Sequence, residues 1–424
     1  MSAAPQGGRR AAVLAQQIRE SAQALATLER EFPDNPAAMD YFYKLFHRVY
    51  CEGGRAQPEG TLVGTTCVQV PDEIVRAAGG VPVRLCSGSH AFDLAGADFM
   101  PAKSCSLVKA TLGLLQDERP AWLDSLDRVV NLTTCDQKKK AGQMMEELGC
   151  QVHHLEFPPS KDSEHARAFW RASVRDFVRA AERMTGGRVT RASLRESILA
   201  VSRAQAAYRR LQRLRAESPA LLLGKDAFLV TNAYFFDDLE RWTGAVDALV
   251  AELEARREAG ISAALRRAPR ILFTGSPPVF PNLKIPVLVE QAGGVIVADE
   301  TCSANRMLND AVSVDEWNLY DMVDAVADRY LKPCTCPIFT SNGDRLRRLL
   351  DLARTHAVDG VVYQAFAGCQ VYEMEHHSVS RALAEAGLPC LYVETDYSPD
   401  DVGQLSTRVE AFIESLRSRR RRRQ

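Results

Sequence analysis

Nothing in the sequence is built for a membrane or for export. No run of about 18 apolar residues occurs, and the opening MSAAPQGGRRAAVLAQQ lacks the apolar core and small-residue cleavage pattern of a secretory signal. A cytoplasmic protein is the expectation. Excess charge is missing too: 53 Lys and Arg face 54 Asp and Glu, so the chain has no general electrostatic hold on a nucleic acid and charge effects must be local. Two motifs are also absent. No G-x-x-x-x-G-K-S/T loop exists to bind ATP, because the glycine phrases AAGGVP and QAGGVI end helices before strands and lack the lysine. Nor is there a C-x-x-C pair of the kind used by zinc ribbons and bacterial ferredoxins; the nearest spacing is Cys334-Thr335-Cys336.

What the chain does have is cysteine: Cys51, Cys67, Cys86, Cys105, Cys135, Cys150, Cys302, Cys334, Cys336, Cys369 and Cys390. Disulfides rarely persist in a reducing compartment, so these thiols need another role. Cys86, Cys150 and Cys390 stand beside apolar residues and read as buried structural thiols. The others sit in loops.

From about Arg9 to Cys51 apolar residues recur at helical spacing. Leu14, Ile18, Leu25, Leu28 and Phe32 share one face and Met39, Phe42, Leu45 and Val49 another, which predicts two packed helices in an N-terminal segment, 1–60. From Thr61 short apolar runs alternate with helical stretches: GTTCVQV, PDEIVRAAGG, VPVRLCSG, DRVVNLTTC, DQKKKAGQMMEELGC, QVHHLEFP. This is a first α/β lobe, 61–160. Over 161–265 strand signals nearly vanish and amphipathic patterns dominate, among them TRASLRESILAVSRAQAAYRRLQRLRA with Thr190 as its cap, which predicts a helical layer. A second α/β lobe, 266–415, runs from RILFTGSPPVF through PVLVEQAGGVIVADETC and DGVVYQAFAGC to LPCLYVETD. Both lobes carry a helix–AGG–strand phrase and a cysteine at a strand end, so internal duplication is expected. The predicted fold is α/β: two similar open parallel-sheet lobes, Rossmann-like or flavodoxin-like, with a helical layer between them. The closing SLRSRRRRRQ, 416–424, reads as a disordered basic tail, with docking of an acidic partner as the other reading.

Ligands of open parallel sheets collect beyond the carboxyl ends of the strands. Cys135, Cys369 and Cys302 end VVNLTTC, VVYQAFAGC and VIVADETC, and Cys105 in KSCSLVKATLG opens a helix, where amides and dipole favour a thiolate or an anionic cluster. A site here has to be assembled from distant loops. Iron–sulfur clusters accept such dispersed soft thiolates, a nucleophilic cysteine would need one of them plus a base, and unrelated thiols in a large core are the plainest alternative. Lys138, Lys139 and Lys140 lie in a first helical turn, where cations oppose the dipole unless an anion is near. A cluster, a partner surface and a solvated face all fit them. His90, in CSGSHAFD, is the candidate catalytic residue, as a proton donor or a hydrogen-bond partner of a cluster sulfide, set against a plain surface-loop histidine. The adjacent pairs His153/His154 and His376/His377 point apart on a strand or a helix and are expected to be structural.

The phrases GTTCVQVPDEIVRAAGGVPVRLCSG, KSCSLVKATLG, VVNLTTCDQKKK, FTGSPPV and DGVVYQAFAGCQVYEMEHHSVSRALAEAGLPCLYVETDYS lie within the stretch from Thr61 to Ile413. They resemble the 2-hydroxyacyl-CoA dehydratase and benzoyl-CoA reductase family. The resemblance implies an iron–sulfur enzyme whose 4Fe-4S cluster is held by Cys105, Cys135 and Cys369. TTCDQKKK, together with Cys67, Cys302, Cys334 and Cys336, is similar to the double-cubane cluster branch, in which six cysteines hold an 8Fe-9S unit. Three further ligands would then come from those four, Cys302 and one of the close pair before the others. The resemblance also implies a low-potential electron delivered by a separate ATP-dependent activator protein carrying its own cluster. Two reactions follow from it: reduction of a small-molecule substrate by a double-cubane homodimer, or elimination of water from a 2-hydroxyacyl-CoA through a ketyl radical in a heterodimeric dehydratase. A non-enzymatic electron-transfer or cluster protein is the remaining alternative.

Overall fold

The computed structural model describes residues 6–423 apart from 33, 117, 118 and 304. Two helices open the chain, α1 (Gln6–Arg30) and α2 (Met39–Phe46), the second running into a π turn over His47–Cys51. The first lobe follows with β1 (Thr61–Thr65), α3 (Asp72–Ala77), β2 (Gly80–Arg84), α4 (His90–Gly96), α5 (Ser106–Leu114), β3 (Arg128–Thr133), α6 (Asp136–Glu147) and β4 (Gln151–Glu156). Four helices, α7 (Glu164–Thr185), α8 (Arg191–Arg215), α9 (Gly224–Ala233) and α10 (Leu239–Glu258), separate it from the second lobe. That lobe holds β5 (Arg270–Gly275), α11 (Lys284–Gln291), β6 (Val295–Glu300), α12 (Asn305–Leu308), α13 (Leu319–Leu331), α14 (Gly343–Thr355), β7 (Gly360–Phe366), α15 (Gln370–Glu385), β8 (Cys390–Thr395) and α16 (Val402–Arg423).

Each lobe is one four-stranded, all-parallel sheet, ordered β2-β1-β3-β4 in the first and β6-β5-β7-β8 in the second. The two orders are the same, as an internal duplication expects. In both, the chain reverses its direction of travel across the sheet beside the first-formed strand, between β1 and β3 and between β5 and β7, which opens a crevice at the carboxyl ends there. The inner strands of the second lobe are buried throughout because helices cover both faces: every residue of β5 and of β7 is buried. The edge strand β4 buries only Leu155 fully.

The helical layer is fastened to both lobes by buried polar contacts as well as apolar packing. Trp170 of α7 is fully buried and its indole N–H donates to Ala327 O of α13 at 2.8 Å, which satisfies the one polar atom of a large apolar side chain. From α8, Arg215 reaches Asp299 of β6 at 2.6 Å in a fully buried ion pair. Thr190 caps α8 with a reciprocal Ser193 contact, as its position before the apolar run predicts. None of the described helices is long and apolar enough to cross a membrane.

The end of the chain differs from the expected disordered tail. α16 runs helically through Arg423. The physical reason lies in what its arginines touch: Arg417 donates to Ala292 O at 2.9 Å, Arg420 donates to Ala268 O at 2.9 Å and pairs with Asp359 at 3.2 Å, and Leu416 is buried. Arginine is also a good helix former, so carbonyls and one carboxylate offset the repulsion of like charges.

Candidate functional site

Cysteines stand at the carboxyl ends of five strands or on the loops just beyond. Cys67 follows β1, Cys86 β2, Cys135 β3, Cys302 β6 and Cys369 β7. Cys105, Cys135 and Cys369 occupy the N-cap positions of α5, α6 and α15. Three helix N-termini therefore present their unpaired amides beside three thiols, an arrangement that favours negative charge. Cys105 and Cys369 touch: the Cys369 thiol donates to Cys105, which holds the Cys105 thiol below its ordinary range, helped by amides of Val108 and Leu107, while Cys369 is pushed up. The charge of Cys135 acts on Cys105 as well.

Two features bring Cys105 and Cys369 together across the lobes. Gln137 of α6 accepts from the Cys105 amide and donates to Gly368 O, both at 2.8 Å. Gly368 has φ +78° and a Cβ there would lie 1.9 Å from Lys103 O, so only glycine permits that approach.

The second group comprises Cys67, Cys302, Cys334 and Cys336, whose charges act on one another. Burial pushes the Cys334 thiol up to about 12, and it pushes Cys336 up as well, with Cys334 adding to it. Here side chains rather than helix ends supply the positive charge. Arg306 donates to Cys302 Sγ at 3.2 Å and to the Tyr372 hydroxyl at 2.8 Å, and that hydroxyl lies 3.3 Å from the same sulfur. The guanidinium is fixed by two hydrogen bonds to Glu300, 2.7 and 2.8 Å. Glu300 also accepts from Thr335 at 2.6 Å and pairs with Arg345, whose Nε lies 2.6 Å from Glu375. All four charged side chains are essentially inaccessible to solvent.

Lys138 joins the two groups. Its ammonium donates to Thr66 O at 2.7 Å, and among the described residues no carboxylate pairs with it. Burial opposes its charge, yet the thiols of Cys67, Cys86, Cys135 and Cys302 raise it above the ordinary lysine value. Lys139 turns outward onto Asp136 and Lys140 is exposed. Of the three lysines, only Lys138 enters the site.

Cys86 departs from the structural reading. Burial does push its thiol up, but Cys67, Cys302 and Lys138 are its electrostatic neighbours, which places it inside the thiol site. Its position at the end of β2 is the same signal that marks Cys135. Cys150 lies elsewhere, 3.7 Å from Arg119, and Cys390 lies beside Ser380. His90 begins α4 with its Nδ1 buried and, among the described residues, without a hydrogen-bond partner. His153 stacks on Phe177 and His154 meets Glu146, while His376 packs on Tyr392, so neither pair converges. Gln137, Arg306 and Tyr372 carry no sequence signal of their own.

Among the described residues, no three His, Cys, Asp or Glu side chains close on a single metal ion. The charges of the thiols nevertheless act on one another. Their donor set is sulfur alone, ringed by helix N-termini, Lys138 and Arg306, and this suits a multi-iron cluster of net negative charge. A lone oxygen-loving cation would find no carboxylate or carbonyl donors in that set.

Comparisons with known proteins identify the family. Residues 67–416 match the family described as 2-hydroxyglutaryl-CoA dehydratase, D-component. YjiM of Escherichia coli (strain K12), which carries the provisional name of a dehydratase subunit, is 34% identical over 358 residues, 84% of this chain and 91% of the relative. The beta subunit of (R)-2-hydroxyglutaryl-CoA dehydratase from Acidaminococcus fermentans is 24% identical over 371 residues, 84% of this chain and 92% of its own. One of the subunits of benzoyl-CoA reductase from Thauera aromatica is 22% identical over 368 residues, 85% of this chain and 92% of its own. The chain therefore belongs to the 2-hydroxyglutaryl-CoA dehydratase D-component family.

Proposed function

We propose that this chain is an iron–sulfur reductase of the double-cubane kind, which accepts a low-potential electron from an ATP-dependent activator protein and reduces a small substrate between its two lobes. The observation that carries this reading is Lys138, a cation without a carboxylate partner among the described residues, set where thiols of both lobes act on it together. A shielded ammonium needs a compensating anion, and thiolates binding an anionic cluster provide one. Cys105, Cys135 and Cys369 would hold one half of the group, and three of Cys67, Cys302, Cys334 and Cys336, with Cys302 and one of the close pair before the others, would hold the other half. Bound there, the cluster supplies a reservoir of electrons at low potential close to a substrate.

The chain's own residues divide the remaining work. Gln137 holds the Cys105 and Cys369 loops in register. Arg306 and Tyr372 direct N–H and O–H donors at Cys302, and donors to a cluster-ligating sulfur stabilise the more negatively charged, reduced state. His90, at the start of α4 near the strand ends, is the proton donor in this reading, its Nδ1 without a hydrogen-bond partner among the described residues.

A dehydratase subunit working with an unlike partner is the second reading, favoured by the subunit names of the relatives. Mixing the anaerobic protein with a reduced activator and ATP separates the two. The reductase reading expects electron uptake by a homodimer made of this chain alone. Uptake that appears only when an unlike subunit is added would overturn it.

A further inference from the structure

At the carboxyl ends of the strands a cleft of about 380 Å³ opens between α1, Gly88 and His90 at the start of α4, α11 and the loop after β8. Its size falls at the lower end of small-molecule sites. Among the described residues, two buried polar atoms on its wall have no hydrogen-bond partner: Tyr397 Oη, on a side chain only 4% exposed, and His90 Nδ1. Tyr397 stands between the cleft and the thiols. Its ring meets Phe366, the last residue of β7, edge-on at 5.1 Å, and Cys105, Cys86 and Cys369 are among the groups whose charges reach its hydroxyl. Burial keeps that phenol protonated, so it is a hydrogen-bond donor with nothing to donate to.

We propose that this cleft is the substrate's way to the thiol site and its binding place, and that it takes a small uncharged molecule bearing a hydrogen-bond acceptor, which Tyr397 receives, rather than an acyl-CoA. The proposal rests on the reductase reading and narrows it. The charge of the walls decides the class. Glu20 and Glu31 line the mouth, engaged by Ser89 and the Ala91 amide and by Gln291 respectively. Lys284 is the one lysine among the described lining residues, and it is neutralised by Asp401 and held by the carbonyls of Asp396 and Ser398. Among the described residues no arginine lines the cleft. The phosphates of a coenzyme A thioester need such groups, and two carboxylates repel them instead. An orphaned phenol donor is satisfied by a carbonyl, amide or nitrogen lone pair of a neutral guest.

Cys86, partly exposed and outside both proposed ligand sets, serves as the reporter. The iron-loaded full chain is treated with 2-chloroacetamide or with chloroacetate, which share size and leaving group but differ in charge, and modification of Cys86 is followed by peptide mass spectrometry. After correction for the reagents' rates with glutathione, the amide should modify Cys86 about tenfold faster than the acetate, the effect of roughly 1.4 kcal/mol of repulsion. Cys51, on the π turn after α2, should show no such preference. Gln23→Trp and Thr27→Trp, both on the cleft face of α1, should each slow the neutral reagent, and Gln23 is exposed so its replacement leaves the core alone. Unreactive acetamide should protect Cys86 in the parent chain but not in Tyr397→Phe. Equal rates for the two reagents, or indifference to both tryptophans, overturn the proposal. A chain that holds iron but lacks the labelling pattern refutes the cleft alone, whereas a chain without iron refutes the reductase reading whatever the labels show.

Discussion

Replacing Cys369 by serine is expected to strip the chain of the iron held by its half of the site, with a loss of affinity beyond the roughly 10–100-fold that removal of an outer-shell partner costs. Three facts make this position the most sensitive. Cys369 is the one second-lobe thiol that joins Cys105 and Cys135, its sulfur already touches Cys105, and its helix N-terminus is aimed at the shared space. A serine hydroxyl keeps the shape but is a hard, weakly acidic donor where iron–sulfur chemistry needs a soft thiolate. Cys105→Ser should behave in the same way. Cys150→Ser and Cys390→Ser, whose thiols lie beside Arg119 and Ser380 instead, should keep the parent iron content. Anaerobic reconstitution followed by iron analysis checks all four. Full iron in Cys369→Ser would mean that the three N-cap thiols are not a ligand set.

Replacing Glu300 by glutamine is expected to destabilise the second lobe by about 3–5 kcal/mol. Glu300 is completely buried and receives Arg306, Arg345 and Thr335. Its charge balances two guanidiniums that themselves have almost no solvent contact, so its removal leaves uncompensated positive charge in a low-dielectric interior. Arg345 retains Glu375, but among the described residues Arg306 keeps only the contacts to Cys302 and Tyr372. The loss should appear as a lower midpoint for the second lobe's denaturant transition, measured on metal-free protein so that cluster loss does not enter. Iron binding to the Cys302 group should weaken in parallel, because Arg306 is held in place through Glu300. A change under about 1 kcal/mol would show that water or a shifted side chain replaces the carboxylate.

Much of this architecture is legible in the sequence because its signals are local. A strand, a cysteine at its end and a helix just beyond is a short pattern, and it locates Cys135, Cys302 and Cys369 without knowledge of any long-range contact. The two parallel lobes follow from the same alternation, and the helical layer from a change of apolar period near residue 161. What stays hidden depends on contacts between distant residues or on helical phase. Arg306 and Tyr372 are 66 positions apart and become partners only when β6 and β7 are laid in one sheet. Lys138, Lys139 and Lys140 look alike in sequence, but the first faces Thr66 and the thiols while the second faces Asp136. Cys86 reads as a packing thiol because of its apolar neighbour Leu85, although the strand-end rule applies to it as well. The arginine-rich end reads as unable to fold because its partners are backbone carbonyls of Ala268, Ala292 and Gly293, which no side-chain pattern reveals.

The thiols of both lobes are proposed to hold one iron–sulfur assembly together around Lys138. Iron and acid-labile sulfide per chain, determined on protein purified under strict anaerobiosis, test it most directly. The account predicts about eight irons with a slight excess of sulfide, as a double cubane requires, falling to about half in Cys302→Ser. A folded, colourless chain without iron would contradict it, and about four irons untouched by Cys302→Ser would confine the cluster to Cys105, Cys135 and Cys369.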